Sequence, residues 1–274
     1  MKKLAILTVL FLSFSLLVKA GDGDKIPSAT LKKLDGSKIN SNTFSNNGKP
    51  IIISFWATWC KPCKKELDAI AEKETTSRGG KPAFLGYQGF PGRVCVSVNN
   101  EIVHAIPNDR KLQTGDLVGI DYGVNYNGMI TDAARTISIG KPSREGLMLL
   151  EGCYEALQDA LKAVKHGARV GDVSSVIEHQ LRKHNLKPIY SLTGHGVGHA
   201  LHEDPVIPNY GSAGKGEVLE AGMTIAIEPI ASIGTNDLYL ADDGWTYMTR
   251  DGSLSAQFEN TILITKAGCE VIAS

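Results

Sequence analysis

The sequence carries no net charge, with 29 Lys and Arg set against 29 Asp and Glu. That balance supplies no overall field for nucleic acid or an anionic membrane, so neither is expected as a partner. Cysteine is scarce, at 5 in 274 residues, too few for a disulfide framework in a chain this long. Long low-complexity runs are absent. What remains is an ordinary globular composition, 42% hydrophobic and 21% charged, with length for one large domain or two small ones.

The first twenty residues stand apart. Lys2 and Lys3 precede an apolar run from Leu4 to Val18, followed by Val18, Lys19 and Ala20. A basic start, a short apolar stretch and a small-residue cleavage site form a secretory signal over 1–20. The run is shorter than the about 20 apolar residues of a spanning helix, which disfavours the alternative of an uncleaved anchor.

A second segment, 21–76, begins polar and then turns apolar. Ile51 to Trp56 reads as a buried strand, and Lys64 to Lys73 has helix-forming composition. Between them Cys60 and Cys63 form a Cys-x-x-Cys pair at a helix start, where the helix dipole favours the reactive thiolate. Cys95, Cys153 and Cys269 are scattered and read as small core residues. Phe55 to Cys63 resembles the active-site segment of exported thioredoxin-like thiol–disulfide oxidoreductases, which implies a redox role for Cys60 and Cys63. The resemblance stops at about Lys73, where half of that fold is still to come.

From Phe84 onward the pattern changes. Arg93 to Val98 alternates as a strand, and Val118 to Val124 and Met129 to Ser138 flank Asn127-Gly128, a strong hairpin signal. Leu147 to His166 has amphipathic helical spacing with Gly167 as its stop, and Asp172 is placed to cap a second helix. Met223 to Ile230 and Phe258 to Thr265 read as closing strands.

If Asn127-Gly128 is a two-residue turn, Asp132 lies opposite Gly123, which puts Asp121 on the same face. The two carboxylates are then diagonal neighbours about 7–8 Å apart at the backbone. Like charges so close call for a cation between them. His195, His199 and His202 sit in a glycine-rich stretch, while Glu228 and Glu259 interrupt apolar strands, where an uncompensated carboxylate is costly. Four carboxylates and a histidine make a hard, oxygen-rich set for divalent metal.

The hairpin Asp pair, Gly194-His195-Gly196, His202-Glu203-Asp204-Pro205, Ile227-Glu228-Pro229 and Gln257-Phe258-Glu259-Asn260-Thr261 follow in order and spacing similar to type I methionine aminopeptidases. The resemblance covers about Phe84 to the C-terminus and implies an α/β (α+β) pita-bread fold, with an antiparallel curved sheet and flanking helices, over 77–274. It implies two divalent ions per chain (Co, Mn, Fe or Zn). Asp121 would chelate one, His195 and Glu228 the other, with Asp132 and Glu259 bridging. Glu228 doubles as proton shuttle, His202 polarises the scissile carbonyl, and His104 contacts the scissile amide. Phe84, Tyr87, Phe90, Cys95, Leu201 and Trp245 would form the methionine pocket. His166, His179 and His184 are left to solvent. The implied substrate is a peptide or nascent-chain N-terminus beginning with Met, handled by a monomer.

The family's two leading helices give way here to the signal and the thioredoxin-like segment. That substitution predicts a truncated first half and an apolar sheet face without its cover. Two further readings compete: an exported thiol–disulfide oxidoreductase with a passenger domain, and an inactive join of two truncated proteins. A proline-specific aminopeptidase of the same fold fits the compact spacing and aromatic pocket less well. Localisation divides the same way, cytoplasmic from the aminopeptidase resemblance and secretory or periplasmic from residues 1–20.

Overall fold

The computed structural model describes residues 30–32, 38–40 and 63–274, within two compact units, 1–54 and 55–274. The expected signal, the strand at Ile51 to Trp56 and Cys60 lie outside the described residues. In the first unit the described part is an antiparallel pair, β1 (Thr30–Lys32) and β2 (Lys38–Asn40).

The second unit opens with helix α1 (Cys63–Ser77). Short strands β3 (Lys81–Pro82), β4 (Cys95–Val98) and β5 (Glu101–Val103) lead to a long hairpin, β6 (Leu117–Tyr126) and β7 (Met129–Ser138). Asn127 and Gly128 take φ of 54° and 85°, the positive pair that a tight hairpin turn requires. The register is the expected one, Gly123 opposite Asp132 and Asp121 opposite Ala134.

Helices α2 (Arg144–Ala163) and α3 (Val170–Lys183) follow, then β8 (Lys187–Pro188), β9 (Thr193–Gly196) and β10 (Glu203–Pro208). The chain closes with β11 (Thr224–Ile227), β12 (Ile230–Ser232), β13 (Leu238–Leu240), β14 (Tyr247–Thr249), β15 (Ser255–Ile264) and β16 (Cys269–Ala273). One path through the main sheet runs β10-β9-β11-β15-β7-β6-β3, and a smaller sheet runs β13-β14-β5. Pairing is antiparallel throughout the described ladders. This is the pita-bread arrangement that the sequence motifs imply.

Helix α2 starts earlier than its apolar spacing suggests, because Ser143 Oγ accepts from Gly146 N at 2.9 Å and caps it. It ends at Ala163 rather than His166, where Val164 turns extended ahead of Gly167. Asp172 is not the cap of α3. It lies inside the first turn and accepts from Arg169 N at 2.7 Å, so Arg169 takes the cap position. Leu149, Leu157, Ile177 and Leu181 of the two helices pack on Ile225, Ile227 and Ile262 of the sheet. Each such side chain contributes about 1.5–3 kcal/mol on burial.

The expected strand Met223 to Ile230 breaks at Glu228-Pro229 into β11 and β12, both paired to β15. Proline has no N–H to continue a ladder. The interruption frees Glu228 to face the site.

The sheet face expected to lie bare is covered in part by α1. Leu67 packs against the cluster of Val94, Val96, Val98, Leu112 and Val118. Asp68 accepts from Arg93 N at 2.5 Å and pairs with its guanidinium at 2.8 Å, while Glu72 takes the other arm at 2.9 Å. The Tyr122 hydroxyl donates to Ala71 O at 3.0 Å and lies 2.5 Å from Thr75 Oγ1. These contacts place α1 with the body of the second unit, although a boundary at 76/77 would assign it to the segment before.

Candidate metal centre

Asp121 and Asp132 project from the hairpin into the floor of a cavity of about 500 Å3, where Glu259 of β15 joins them. All three are buried, and Asp121 Oδ1, Asp132 Oδ1 and Glu259 Oε1 have no hydrogen-bond donor among the described residues. Oxygens left so in a protein interior are costly unless a cation serves them. Burial and mutual repulsion push Asp132, Glu228 and Glu259 well above the usual carboxylate range, and burial pushes Asp121 up to about 7. Bound metal reverses that tendency, since it favours the ionised form.

His195, on β9, presents the matching nitrogen. Its Nδ1 lies 2.8 Å from Gly196 O, and a carbonyl only accepts, so Nδ1 carries the proton. Nε2 is therefore the free lone pair, 3.6 Å from Glu228 Oε1. Burial lowers the His195 pKa to about 4, which keeps the ring neutral. Ligand atoms of Asp132, His195 and Glu259 lie within 4.8 Å of one another. The residues present thus fit a divalent metal, by donor chemistry and by unsatisfied oxygens alike.

Every side chain singled out from the sequence for metal, catalysis or pocket lines this one cavity; Cys60 and the Cys63 side chain, singled out for redox chemistry, lie outside the described part of the structure. Phe84, Phe90, Cys95 and Leu201 form a buried apolar group with Tyr87 and Trp245 against it. Phe90 meets Trp245 edge-on at 5.2 Å. Phe84 can lie over β6 because residue 123 is glycine: a Cβ there would stand 2.6 Å from the Phe84 ring. Burial and the nearby Asp121 raise the Cys95 pKa, so it serves as an apolar thiol wall. His104 holds φ of 60°, a sparsely populated setting for a non-glycine residue, and meets Tyr247 edge-on at 5.8 Å. His184, expected in solvent, instead pairs through Nε2 with Glu155 at 2.9 Å.

The sequence reading missed Gln257 as a site residue. Its Nε2 donates to Glu228 Oε2 at 3.1 Å and Glu259 Oε2 at 3.3 Å, tying two of the carboxylates together. Gln257 precedes Glu259 by two on one strand and so shares its face, the signal that finds it. Gln88, Leu240, Gly244 and Tyr247 also line the cavity and were not singled out. Leu240 and Tyr247 pair across the β13–β14 hairpin, whose role as a wall is invisible to local pattern.

The sequence profile of metallopeptidase family M24 matches residues 52–266. The chain belongs to family M24. Membership makes it a metal-dependent peptidase, in accord with the donor set just described. Among M24 relatives, a methionine aminopeptidase from Clostridium perfringens is 41% identical over 207 residues, covering 76% of this chain and 83% of that protein. The crystal structure of a methionine aminopeptidase from Thermotoga maritima superposes with a TM-score of 0.75 at 42% identity, covering 76% of this chain and 84% of that one. A prolidase from Pyrococcus furiosus is more distant, with a TM-score of 0.61, 27% identity and 55% of its chain covered.

Proposed function

We propose that the chain is a methionine aminopeptidase of the type I form that removes an N-terminal Met from peptides, with Asp121, Asp132, His195, Glu228 and Glu259 holding two divalent ions. The observation that carries the reading is the continuity of two surfaces in one cavity. Unsatisfied carboxylate oxygens form its floor, and aromatic and sulfur-bearing side chains form its wall. A flexible thioether fits such a wall.

The ions, when bound, supply Lewis acidity and lower the pKa of a coordinated water. The protein's share is orientation and proton handling. Phe84, Phe90, Leu201 and Trp245 exclude water around the Met side chain. His202, neutral because burial lowers its pKa, is placed to donate to the scissile carbonyl oxygen. Glu228 is held by Gln257 at one oxygen and faces His195 with the other, a setting suited to carrying a proton to the departing amine. His104, close enough to His202 for the two rings to interact electrostatically, contacts the scissile amide.

The test is release of Met from Met-Ala-Ser, against release from Xaa-Pro peptides, by metal-reconstituted protein. Hydrolysis of the Xaa-Pro peptides alone would overturn the assignment in favour of a prolidase-type activity. The signal-like residues 1–20 favour export, and mature protein beginning at Gly21 in the extracytoplasmic fraction would support that location.

A further inference from the structure

Tyr87 and His202, 115 residues apart, meet at the cavity edge with Tyr87 Oη 3.0 Å from His202 Nδ1. Their rings stack at 5.5 Å with 29° between the planes, so the contact is held by surface as well as by one atom pair. A third group completes the arrangement: Gln88 Nε2 stands 3.4 Å from the same Tyr87 oxygen. Gln88 occupies φ of 50° inside the turn Tyr87–Gly89, an uncommon setting for a residue with a Cβ.

These contacts have a direction. An amide NH2 can only donate, so it occupies a lone pair of the Tyr87 oxygen and leaves the hydroxyl proton to be given elsewhere. The other polar atom in reach is His202 Nδ1, which takes that proton when the ring carries its own N–H on Nε2. Neutral imidazole carries one N–H, and a ring that accepts at Nδ1 carries it on Nε2.

We propose that Gln88 and Tyr87 form a donor chain that fixes His202 as its Nε2–H tautomer, leaving that N–H to serve the substrate carbonyl. Tyr87 and Gln88 are then positioning residues in addition to walls of the pocket. The alternative tautomer would place a lone pair, not a proton, where the oxyanion develops, and would repel it. The identity of the acceptor rests on the peptidase reading above; the tautomer does not.

Long-range 1H–15N spectra of the full-length chain test this, with His202 assigned by its loss in His202→Gln. The expected wild-type pattern is Nε2–H at His202. Tyr87→Phe keeps the stacked ring and removes only the hydroxyl, and is expected to move His202 toward Nδ1–H. Gln88→Ala is expected to move it the same way by less. In hydrolysis of Met-Ala-Ser, Tyr87→Phe should lower kcat roughly 3- to 10-fold, the worth of one hydrogen bond, with KM within about twofold. An Nδ1–H pattern in the wild type, or an unchanged tautomer in both variants, overturns the proposal. Because the spectra need no turnover, a protein without Met-peptidase activity would count against the function while leaving the tautomer readable.

Discussion

The Thr261 hydroxyl takes the place of a backbone rung beside Asp132: it accepts from Asp132 N and donates to Asp132 O, each at 2.7 Å. Between β7 and β15 the direct pairing is Phe258 with Arg135 and Glu259 with Ala134. On the other side of that pairing Thr136 does the same for Gln257, at 2.9 and 3.0 Å. Two threonines thus set the spacing of the strands that carry Asp132, Gln257 and Glu259.

Thr261→Val preserves shape and removes both bonds. Metal affinity is expected to fall about 10- to 100-fold, the usual consequence of losing a group that orients a ligand. Isothermal titration with Mn or Co reads it, alongside a thermal midpoint that drops because Asp132 N and O are left buried and unpaired.

Gln257→Leu removes the donor shared by Glu228 and Glu259. Both carboxylates are then freer to rotate, and kcat for Met-Ala-Ser is expected to fall by at least about tenfold at saturating metal. Unchanged turnover at saturating metal would show that Gln257 does not orient Glu228.

Asp121 bears on pH. Burial lifts its folded pKa from 3.8 to about 7. A raised acid stabilises the metal-free fold below the unfolded pKa, and that stability is lost as pH rises through the folded one. Asp121→Asn cannot titrate, so without metal its melting temperature should exceed wild type at pH 8 and match or fall below it at pH 4. Saturating Mn should reverse the order at pH 8, since wild type keeps the ligand.

Helix α1 gives the fourth prediction. Protein beginning at Phe55 retains α1 with its contacts to Arg93 and Tyr122 and should bind metal and hydrolyse Met peptides. Protein beginning at Gly79 loses the cover over Val94, Val96 and Val118 and should be aggregated or unfolded by circular dichroism and size exclusion.

The hairpin was legible because its information is local. Asn127-Gly128 specifies the turn, the turn specifies the register, and period-two alternation places Asp121 and Asp132 on one face. Glu228 and Glu259 were legible as charges in apolar surroundings, which few structural roles tolerate. Residues such as Leu240, Tyr247 and Gln88 carry no such mark, since apolar or neutral side chains suit many positions.

The amino-acid sequence by itself determined the hairpin geometry and the apolar faces of α2 and α3, properties of spacing within one element, and it singled out the five buried acidic and histidine side chains that the structure gathers in one cavity. The tertiary structure alone decided that α1 packs on part of the sheet, that Gln257 joins Glu228 to Glu259, and that Tyr87 reaches His202. Those are pairings between distant segments. Their energies depend on the distance and direction of particular donor and acceptor atoms, which no local pattern encodes.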